Sequence, residues 1–162
     1  MTQKPVYVIF VCMGNICRSP LAHGVFEKKV ADAGLTHLIH VDSAGTHAYH
    51  VGQPPDRRSA AVAEKHGIAI TQQRARQVSA ADLQQFDYVL AMDDDNLAIL
   101  RQLAAGHDTS HIHLFLDFAT TRQAREVPDP YYGGAHGFDH VYDLVNVAAD
   151  GLLAAIRQQH HW

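Results

Sequence analysis

The sequence predicts an α/β fold, a three-layer sandwich in which a parallel β-sheet lies between two layers of helices. Short apolar runs of strand length alternate along the chain with segments in which apolar residues recur every three or four positions, as they do on helices. Parallel strands need such helical crossovers between them. The chain has 162 residues and no linker, repeat or low-complexity segment, so we expect a single domain over residues 1–162.

The first strand is the continuous apolar run at residues 6–11, and a short loop leads from it to the first helix. We expect that helix over 20–33, with Ser19 as its N-cap, Pro20 at its first position and Gly34 after its end. A strand, a loop and a helix N-terminus therefore follow one another near the start of the chain.

The rest of the chain continues the alternation. The second strand is expected at 38–41, and Asp56 should open a helix that ends at His66, before Gly67. The later segments are a helical turn at 79–83, a strand at 87–92, a helix at 93–105, a last strand at 111–116, a loop over most of 117–135, and a closing helix at 139–158.

Composition excludes several classes of function. The net charge is −4 with the histidines neutral, which gives no broad basic surface for nucleic acid or membrane. The first apolar run is too short to span a bilayer, and no small-residue cleavage site follows it, so we expect neither membrane insertion nor a signal peptide. Both cysteines lie in one loop rather than in a disulfide framework. We therefore expect a cytoplasmic protein, and a monomer.

The loop after the first strand carries the chemistry. Its sequence from Cys12 to Ser19 is Cys-Met-Gly-Asn-Ile-Cys-Arg-Ser. Backbone N–H groups at a helix start attract anions, and Arg18 offers a bidentate fork to phosphate oxygens. The same positive field favours the thiolate form of Cys12, a nucleophile. The alternative is a purely structural role for Cys12, as an apolar residue buried at a strand end. The arginine six positions later instead favours covalent phosphoryl transfer through sulfur.

No cofactor or metal is expected. A Gly-x-Gly-x-x-Gly fingerprint after a strand is missing, as is a Gly-Lys-Ser/Thr phosphate loop. The chain has 13 histidines, several in close pairs, but only His136 and His140 have the spacing of one helix face. No carboxylate or cysteine completes a zinc set around that pair, so we assign no metal site.

Two distant motifs together resemble the low-molecular-weight protein tyrosine phosphatase family. They are Cys-x5-Arg-Ser, which begins at Cys12, and Asp-Pro-Tyr-Tyr, which begins at Asp129. Family-like segments lie between them in the expected order: 41–46, 66–68, 75–77 and 86–90. The resemblance covers essentially the whole chain. It implies a four-stranded parallel sheet in the order 2-1-3-4, with the phosphate-binding loop beside the point where the strand order reverses.

The resemblance also implies catalytic roles. Cys12 is the nucleophile that forms a phosphocysteine intermediate, and Asp129 is the general acid and base; Asp117, in another loop, is the runner-up acid. Arg18 and the loop amides hold the phosphate in place of a metal ion. The implied phosphate-binding residues are Met13, Gly14, Asn15, Ile16, Cys17, Arg18 and Ser19.

Further residues match the family's loop support and substrate rim. Asn15, Ser19 and Ser43 support the loop, whereas Gln72 and Gln73 stand where many members have a histidine. The rim residues are His47, Tyr49, Tyr131 and Tyr132, with weaker support for His50 and Asp93. These aromatic residues imply a deep slot for an aryl phosphate, although ordinary half-buried packing would also account for each of them.

Ile16 and Cys17 bear on which of several related activities the chain has. Members that act on phosphoarginine have threonine at the place of Ile16, so isoleucine favours phosphotyrosine. Cys17 matches a partner that forms a reversible disulfide with the oxidised nucleophile, although a plain buried thiol would explain it too. Arsenate reductases of the same fold use further cysteines near mid-chain, and none follows Cys17.

The expected substrate is a phosphotyrosine protein. In a bacterium, the resemblance points to a tyrosine kinase of polysaccharide export as the partner. The alternatives are a phosphatase for phosphoarginine or a small molecule, or a regulator that binds phosphate without turnover.

Overall fold

A four-stranded parallel sheet in the order β2-β1-β3-β4 forms the centre of the fold, as expected. The computed structural model of the chain describes residues 3–121, 124–131, 133–134 and 136–162. The elements are β1 (Val6–Cys12), α1 (Arg18–Asp32), β2 (Ile39–Gly45), α2 (Arg57–Lys65), α3 (Ala80–Gln85), β3 (Tyr88–Ala91), α4 (Asp94–Leu103), β4 (Ile112–Leu114), a 3₁₀ turn (Phe115–Phe118) and α5 (His136–His160).

Strand β1 is buried on both faces because helices cover each side of the sheet. Val8 and Phe10 belong to a core shared with α1 and α5. Ile9 and Val11 point to the other face, where they share a core with apolar residues of α3 and α4. The three layers predicted from the alternation of strands and helices are thus confirmed.

The two edge strands differ from the sequence prediction. Strand β2 runs four residues beyond the predicted end at residue 41, because it pairs with β1 as far as Cys12 and Gly45. Tertiary pairing here overrides the weak strand propensity of Asp42, Ser43 and Gly45. The predicted last strand at 111–116 is shorter, since β4 ends at Leu114 and the chain turns into the 3₁₀ helix.

The start of α1 also corrects the prediction. The helix begins at Arg18, so its N-cap is Cys17 rather than Ser19, and Cys17 makes no side-chain capping bond within the described chain. Pro20 still lies in the first turn, where a missing N–H costs nothing. Helix α5 begins three residues earlier than predicted, at His136.

The loop between β1 and α1 lies at the carboxyl end of the sheet, with β2 on one side of β1 and β3 on the other. Gly45 at the end of β2 allows this loop a close approach, since a Cβ there would lie 2.8 Å from the Met13 carbonyl oxygen. Open α/β sheets bind ligands at such a switch point. No helix in the described ranges is both long and apolar enough to cross a membrane.

Candidate active site

The loop from Cys12 to Arg18 folds around the sulfur of Cys12. The Asn15 backbone N–H donates to Cys12 Sγ across 3.3 Å, and Ser19 Oγ lies 3.0 Å from the same sulfur. Asn15 has a φ of 57°, a conformation that asparagine tolerates better than most residues. Cys12 is only 2% exposed, so these two polar groups provide its immediate hydrogen-bonding environment.

The Asn15 side chain fixes the direction of the hydrogen bonds around that sulfur. Its Oδ1 accepts the Arg76 backbone N–H at 3.0 Å, so Nδ2 is the donor. Nδ2 donates to Ser19 Oγ at 2.8 Å and to Ser43 Oγ at 3.0 Å. Because Ser19 Oγ accepts from Asn15, its own hydrogen has two acceptors within reach, Cys12 Sγ at 3.0 Å and the Ala44 carbonyl oxygen at 3.4 Å. The predicted support residues Asn15, Ser19 and Ser43 therefore come together in one network.

A histidine completes this network from an unexpected position. His23 on α1 places Nδ1 3.4 Å from Ser43 Oγ and Nε2 3.2 Å from Glu27 Oε2. The side chain of Gln73 instead donates to the Pro20 carbonyl oxygen. His23 thus brings an imidazole to this network from α1, a position that the family resemblance did not indicate. Only the spacing of His23 and Glu27 on one helix face hinted at their pairing.

Arg18 is a buried cation held by several acceptors. Its Nη1 lies 2.6 Å from Asp93 Oδ2 and donates to the Val127 carbonyl oxygen at 3.0 Å, and its Nη2 lies 3.6 Å from Asp129 Oδ2. Burial alone would lower the pKa of Arg18, but negative charge at Cys12, Asp93 and Asp129 offsets this and leaves the pKa above its ordinary value. The guanidinium is therefore charged and oriented.

Asp93 orients Arg18. Its Oδ2 binds Arg18, while its Oδ1 accepts the Asn96 backbone N–H and so caps α4. The sequence suggested only a weak rim contact for this residue. The ion pair could not be read from the sequence because 75 positions separate the two residues and only the pairing of β1 with β3 brings them together.

A pocket of about 330 Å³ opens over the loop, and Cys12, Arg18 and Asp129 all line it. The other lining residues are Met13, Gly14, Ile16, Cys17, Tyr49, His50 and Tyr131. Asp129 Oδ1 accepts the Tyr131 backbone N–H at 3.0 Å, which fixes the start of the Asp-Pro loop. The runner-up acid Asp117 lies in the 3₁₀ turn and does not line this pocket.

The residues predicted for the substrate rim lie in different places around this pocket. Tyr49 and Tyr131 line the pocket, and the Arg58 guanidinium lies 5.5 Å from the centre of the Tyr131 ring. His47 stacks on Tyr49 but lines a neighbouring groove, whereas His50 lines the pocket itself. Tyr132 lies outside the described residues.

Both cysteines are free and buried thiols, and Cys17 is part of the loop itself. Burial raises the pKa of the Cys17 thiol far above its ordinary value, and the nearby Asp56 and Cys12 raise it further. Cys17 is therefore protonated at neutral pH. Its carbonyl oxygen accepts a hydrogen bond from Ser59 Oγ at 2.8 Å, which ties this part of the loop to α2.

Comparison with known proteins gives one consistent result. The family model described as low molecular weight phosphotyrosine protein phosphatase matches residues 7–161. The low molecular weight protein-tyrosine-phosphatase YfkJ of Bacillus subtilis is 42% identical over 154 residues, which cover 95% of this chain and 97% of YfkJ. The human low molecular weight phosphotyrosine protein phosphatase is 41% identical over 142 residues, covering 86% of this chain and 89% of the human protein.

Solved structures agree with these relatives. The crystal structure of YfkJ aligns with a TM-score of 0.93 at 40% identity and covers 98% of this chain and 99% of its own. The crystal structure of an arginine phosphatase from Drosophila aligns with a TM-score of 0.86 at 32% identity, covering 93% and 97% of the two chains.

Proposed function

Since the chain belongs to the low molecular weight phosphotyrosine protein phosphatase family and is an enzyme of the protein-tyrosine-phosphatase class, we propose that it hydrolyses protein phosphotyrosine through a phosphocysteine intermediate, without a metal ion. One observation carries the proposal. A thiol, a buried guanidinium and a half-exposed carboxyl group line the same pocket, on Cys12, Arg18 and Asp129.

The phosphate dianion binds first. Arg18 offers a planar pair of N–H donors to its oxygens, and loop amides add partial positive charge at the start of α1. Asp93 keeps the guanidinium in place from behind, so little reorganisation is needed when the substrate arrives. In the proposed cycle Asp129 enters this step as the general acid.

Transfer to sulfur follows. The Cys12 thiolate attacks phosphorus, the bond from phosphorus to the tyrosine oxygen breaks, and the leaving phenolate takes the proton of Asp129. The Ser19 hydroxyl, itself oriented by Asn15, donates to the sulfur and stabilises its negative charge. Arg18 and the loop amides stabilise the charge on the equatorial phosphate oxygens in the transition state.

Hydrolysis restores the enzyme. The Asp129 carboxylate takes a proton from water, the water oxygen attacks phosphorus, and the bond between phosphorus and sulfur breaks. Inorganic phosphate leaves, and Cys12 is again a thiolate. The hydrogen bonds from Ser19 and the Asn15 N–H make that thiolate a better leaving group.

The test is phosphate release from a phosphotyrosine peptide in the presence of a chelator. We expect turnover by the wild type and none by Cys12→Ser. Asp129→Asn should lose most of its activity, while Asp117→Asn is the matched control and should keep it. Turnover that a chelator abolishes, or that survives in Cys12→Ser, would contradict the proposed mechanism.

The same assay separates the alternative activities. Equal or faster turnover of a phosphoarginine peptide would replace the proposed substrate by phosphoarginine, against the expectation from Ile16. Faster turnover of an alkyl phosphate would indicate a small-molecule phosphatase. Phosphate binding without any turnover by folded, reduced protein would indicate a regulator. A tyrosine kinase of polysaccharide export as partner, a monomeric state and a cytoplasmic location remain predictions.

Cys17 belongs to the proposal as a redox partner. Peroxide oxidises Cys12 to a sulfenic acid, and the Cys17 thiol then condenses with it, forming the disulfide and releasing water. Because burial raises the pKa of Cys17, its proton must leave as the sulfur attacks. We expect peroxide-inactivated wild type to recover with dithiothreitol and Cys17→Ser to recover far less. Equal recovery would remove this role.

A further inference from the structure

A pair of side chains on one face of α1 extends the hydrogen-bond network of the phosphate-binding loop toward solvent. His23 places Nδ1 3.4 Å from Ser43 Oγ and Nε2 3.2 Å from Glu27 Oε2. The His23 side chain is 13% exposed and the Glu27 side chain 60%. Neither residue lines the catalytic pocket, and the proposed reaction uses neither of them. Any influence of this pair on the chemistry must therefore pass through Ser43.

Glu27 determines which nitrogen of the His23 ring carries the hydrogen. A carboxylate oxygen accepts hydrogen bonds and cannot donate them, so the Nε2 that faces Glu27 carries a hydrogen. In the neutral ring the other nitrogen is then an acceptor. The lone pair of His23 Nδ1 is thus directed to Ser43 Oγ.

The Ser43 hydroxyl needs such an acceptor. Its oxygen accepts a hydrogen from Asn15 Nδ2 at 3.0 Å, and this direction is fixed because Asn15 Oδ1 accepts the Arg76 backbone N–H. The hydroxyl hydrogen must therefore point elsewhere, and in the described part of the chain His23 Nδ1 is the acceptor that it reaches. Ser43 is only 5% exposed, so bulk water is a poor substitute for the ring.

The effect of this bond reaches the Cys12 sulfur through Asn15. A hydroxyl that donates one hydrogen bond is a stronger acceptor of the next, so the bond from Ser43 to His23 strengthens the bond from Asn15 to Ser43. Asn15 Nδ2 also donates at 2.8 Å to Ser19 Oγ, which lies 3.0 Å from Cys12 Sγ. If the Ser43 hydrogen has no acceptor, Ser43 holds Asn15 less firmly, and Asn15 in turn holds Ser19 less firmly beside the sulfur.

We propose that His23 is a positioning residue for the breakdown of the phosphocysteine intermediate. Glu27 keeps the hydrogen of the ring on Nε2, and Nδ1 accepts the Ser43 hydroxyl. Through this bond His23 holds in place the donors that stabilise the Cys12 thiolate as it leaves phosphorus. The inference rests on the proposed function and adds to it a side chain that the substrate does not touch.

The first experiment compares two replacements of His23 that differ in whether an acceptor remains. Asparagine brings its Oδ1 close to the position of Nδ1, whereas leucine fills similar space without an acceptor. Rapid acid quenching of a single turnover with a phosphotyrosine peptide measures how fast the phosphoryl group appears on Cys12 and how fast it is lost.

In His23→Leu the loss of the phosphoryl group should be about fivefold slower than in the wild type, the equivalent of one net hydrogen bond. Its appearance should change by less than about twofold, because a less stabilised thiolate is a poorer leaving group but not a weaker nucleophile. His23→Asn should restore the rate of loss to within about twofold of the wild type.

The second experiment changes only the exposed partner, Glu27. A lysine ammonium donates hydrogen bonds, so in Glu27→Lys the ring hydrogen moves to Nδ1 and the Ser43 hydrogen loses its acceptor. Loss of the phosphoryl group should slow about fivefold, as in His23→Leu. Glu27→Gln keeps an acceptor oxygen and should stay within about twofold of the wild type. The matched control is Asp32→Lys, which makes the same charge change at an exposed position at the far end of α1 and should leave the rate unchanged.

The outcomes separate this inference from the proposed function. If the wild type never carries a phosphoryl group on Cys12, the proposed function fails. If it does, but Glu27→Lys loses the group as fast as Asp32→Lys, the positioning role is overturned. Equally slow loss in His23→Leu and His23→Asn, with lower urea midpoints in both, would mean that the ring serves packing alone and would also overturn it.

A double replacement tests the route through Ser43. In a Ser43→Ala background the hydroxyl is absent, so the further replacement His23→Leu should slow the loss of the phosphoryl group by less than about twofold. An undiminished fivefold effect in that background would mean that His23 acts by another route, and would overturn the assignment.

Discussion

Replacement of Asn15 by alanine removes three hydrogen bonds from the interior of the phosphate-binding loop. They are the two that Nδ2 donates to Ser19 and Ser43 and the one that Oδ1 accepts from the Arg76 N–H. Asn15 is 3% exposed, so water cannot fully replace these partners. Alanine must also adopt the positive φ of 57° that asparagine tolerates.

The expected cost follows from these contacts. Each net hydrogen bond contributes about 1 kcal/mol to stability, and alanine at positive φ costs about 1 kcal/mol more. The free energy of unfolding should therefore fall by about 4 kcal/mol in Asn15→Ala. Asn15→Gly loses the same hydrogen bonds without the φ penalty and should fall by about 3 kcal/mol.

Urea unfolding of the wild type and both variants measures these differences. A loss below about 1 kcal/mol in Asn15→Ala would refute the account of the network, since it would mean that the hydrogen bonds add almost nothing to stability. Equal losses in the alanine and glycine variants would refute the account of backbone strain.

Three further predictions concern the acids and the buried thiol. Asp93→Ala should lower the free energy of unfolding by about 3 kcal/mol, and Asp93→Asn, which keeps the α4 cap, by about 2 kcal/mol. The cost is that of a partly buried ion pair, because the Asp93 side chain is 21% exposed. Urea unfolding measures both values, and equal values would exclude a role for the cap. Asp129→Asn should slow phosphate transfer from phosphotyrosine about a hundredfold, but transfer from p-nitrophenyl phosphate much less, because nitrophenolate leaves without a proton. Stopped-flow detection of the product measures both rates. Equal slowing for the two substrates would argue against a general acid. In Cys12→Ser, the remaining Cys17 should react slowly with iodoacetamide up to about pH 9. The pKa of the Cys17 thiol is higher in the folded state than in the unfolded state. The contribution of this thiol to the free energy of unfolding is therefore complete below about pH 8.5 and falls as the pH rises further. Rapid labelling of Cys17 in the folded variant would contradict the raised pKa.

Local sequence signals were sufficient for the parts of the site that lie within one loop. Cys12, Asn15 and Arg18 follow one strand and precede one helix, so their convergence follows from chain order alone. The buried run of β1 and the glycine turns after α1 and α2 were equally visible in the sequence. The positive φ at Gly34 and Gly67 agrees with that interpretation.

Contacts between distant segments were harder to predict. Asp93 meets Arg18 only because β3 pairs with β1, and His23 meets Ser43 only because β2 extends beyond its apolar residues. Strand propensity ends near Val41, and no local signal reports the pairing that carries β2 to Gly45.

The central claim is that the phosphoryl group passes through the sulfur of Cys12. The most direct measurement is rapid acid quenching of the wild type during turnover of a phosphotyrosine peptide, followed by mass spectrometry of the fragment that carries Cys12. We expect one phosphoryl group on that fragment, formed before phosphate release and lost at the rate of turnover, with chelator present throughout. Full-rate phosphate release with no phosphoryl group on Cys12 at any time point would contradict the account.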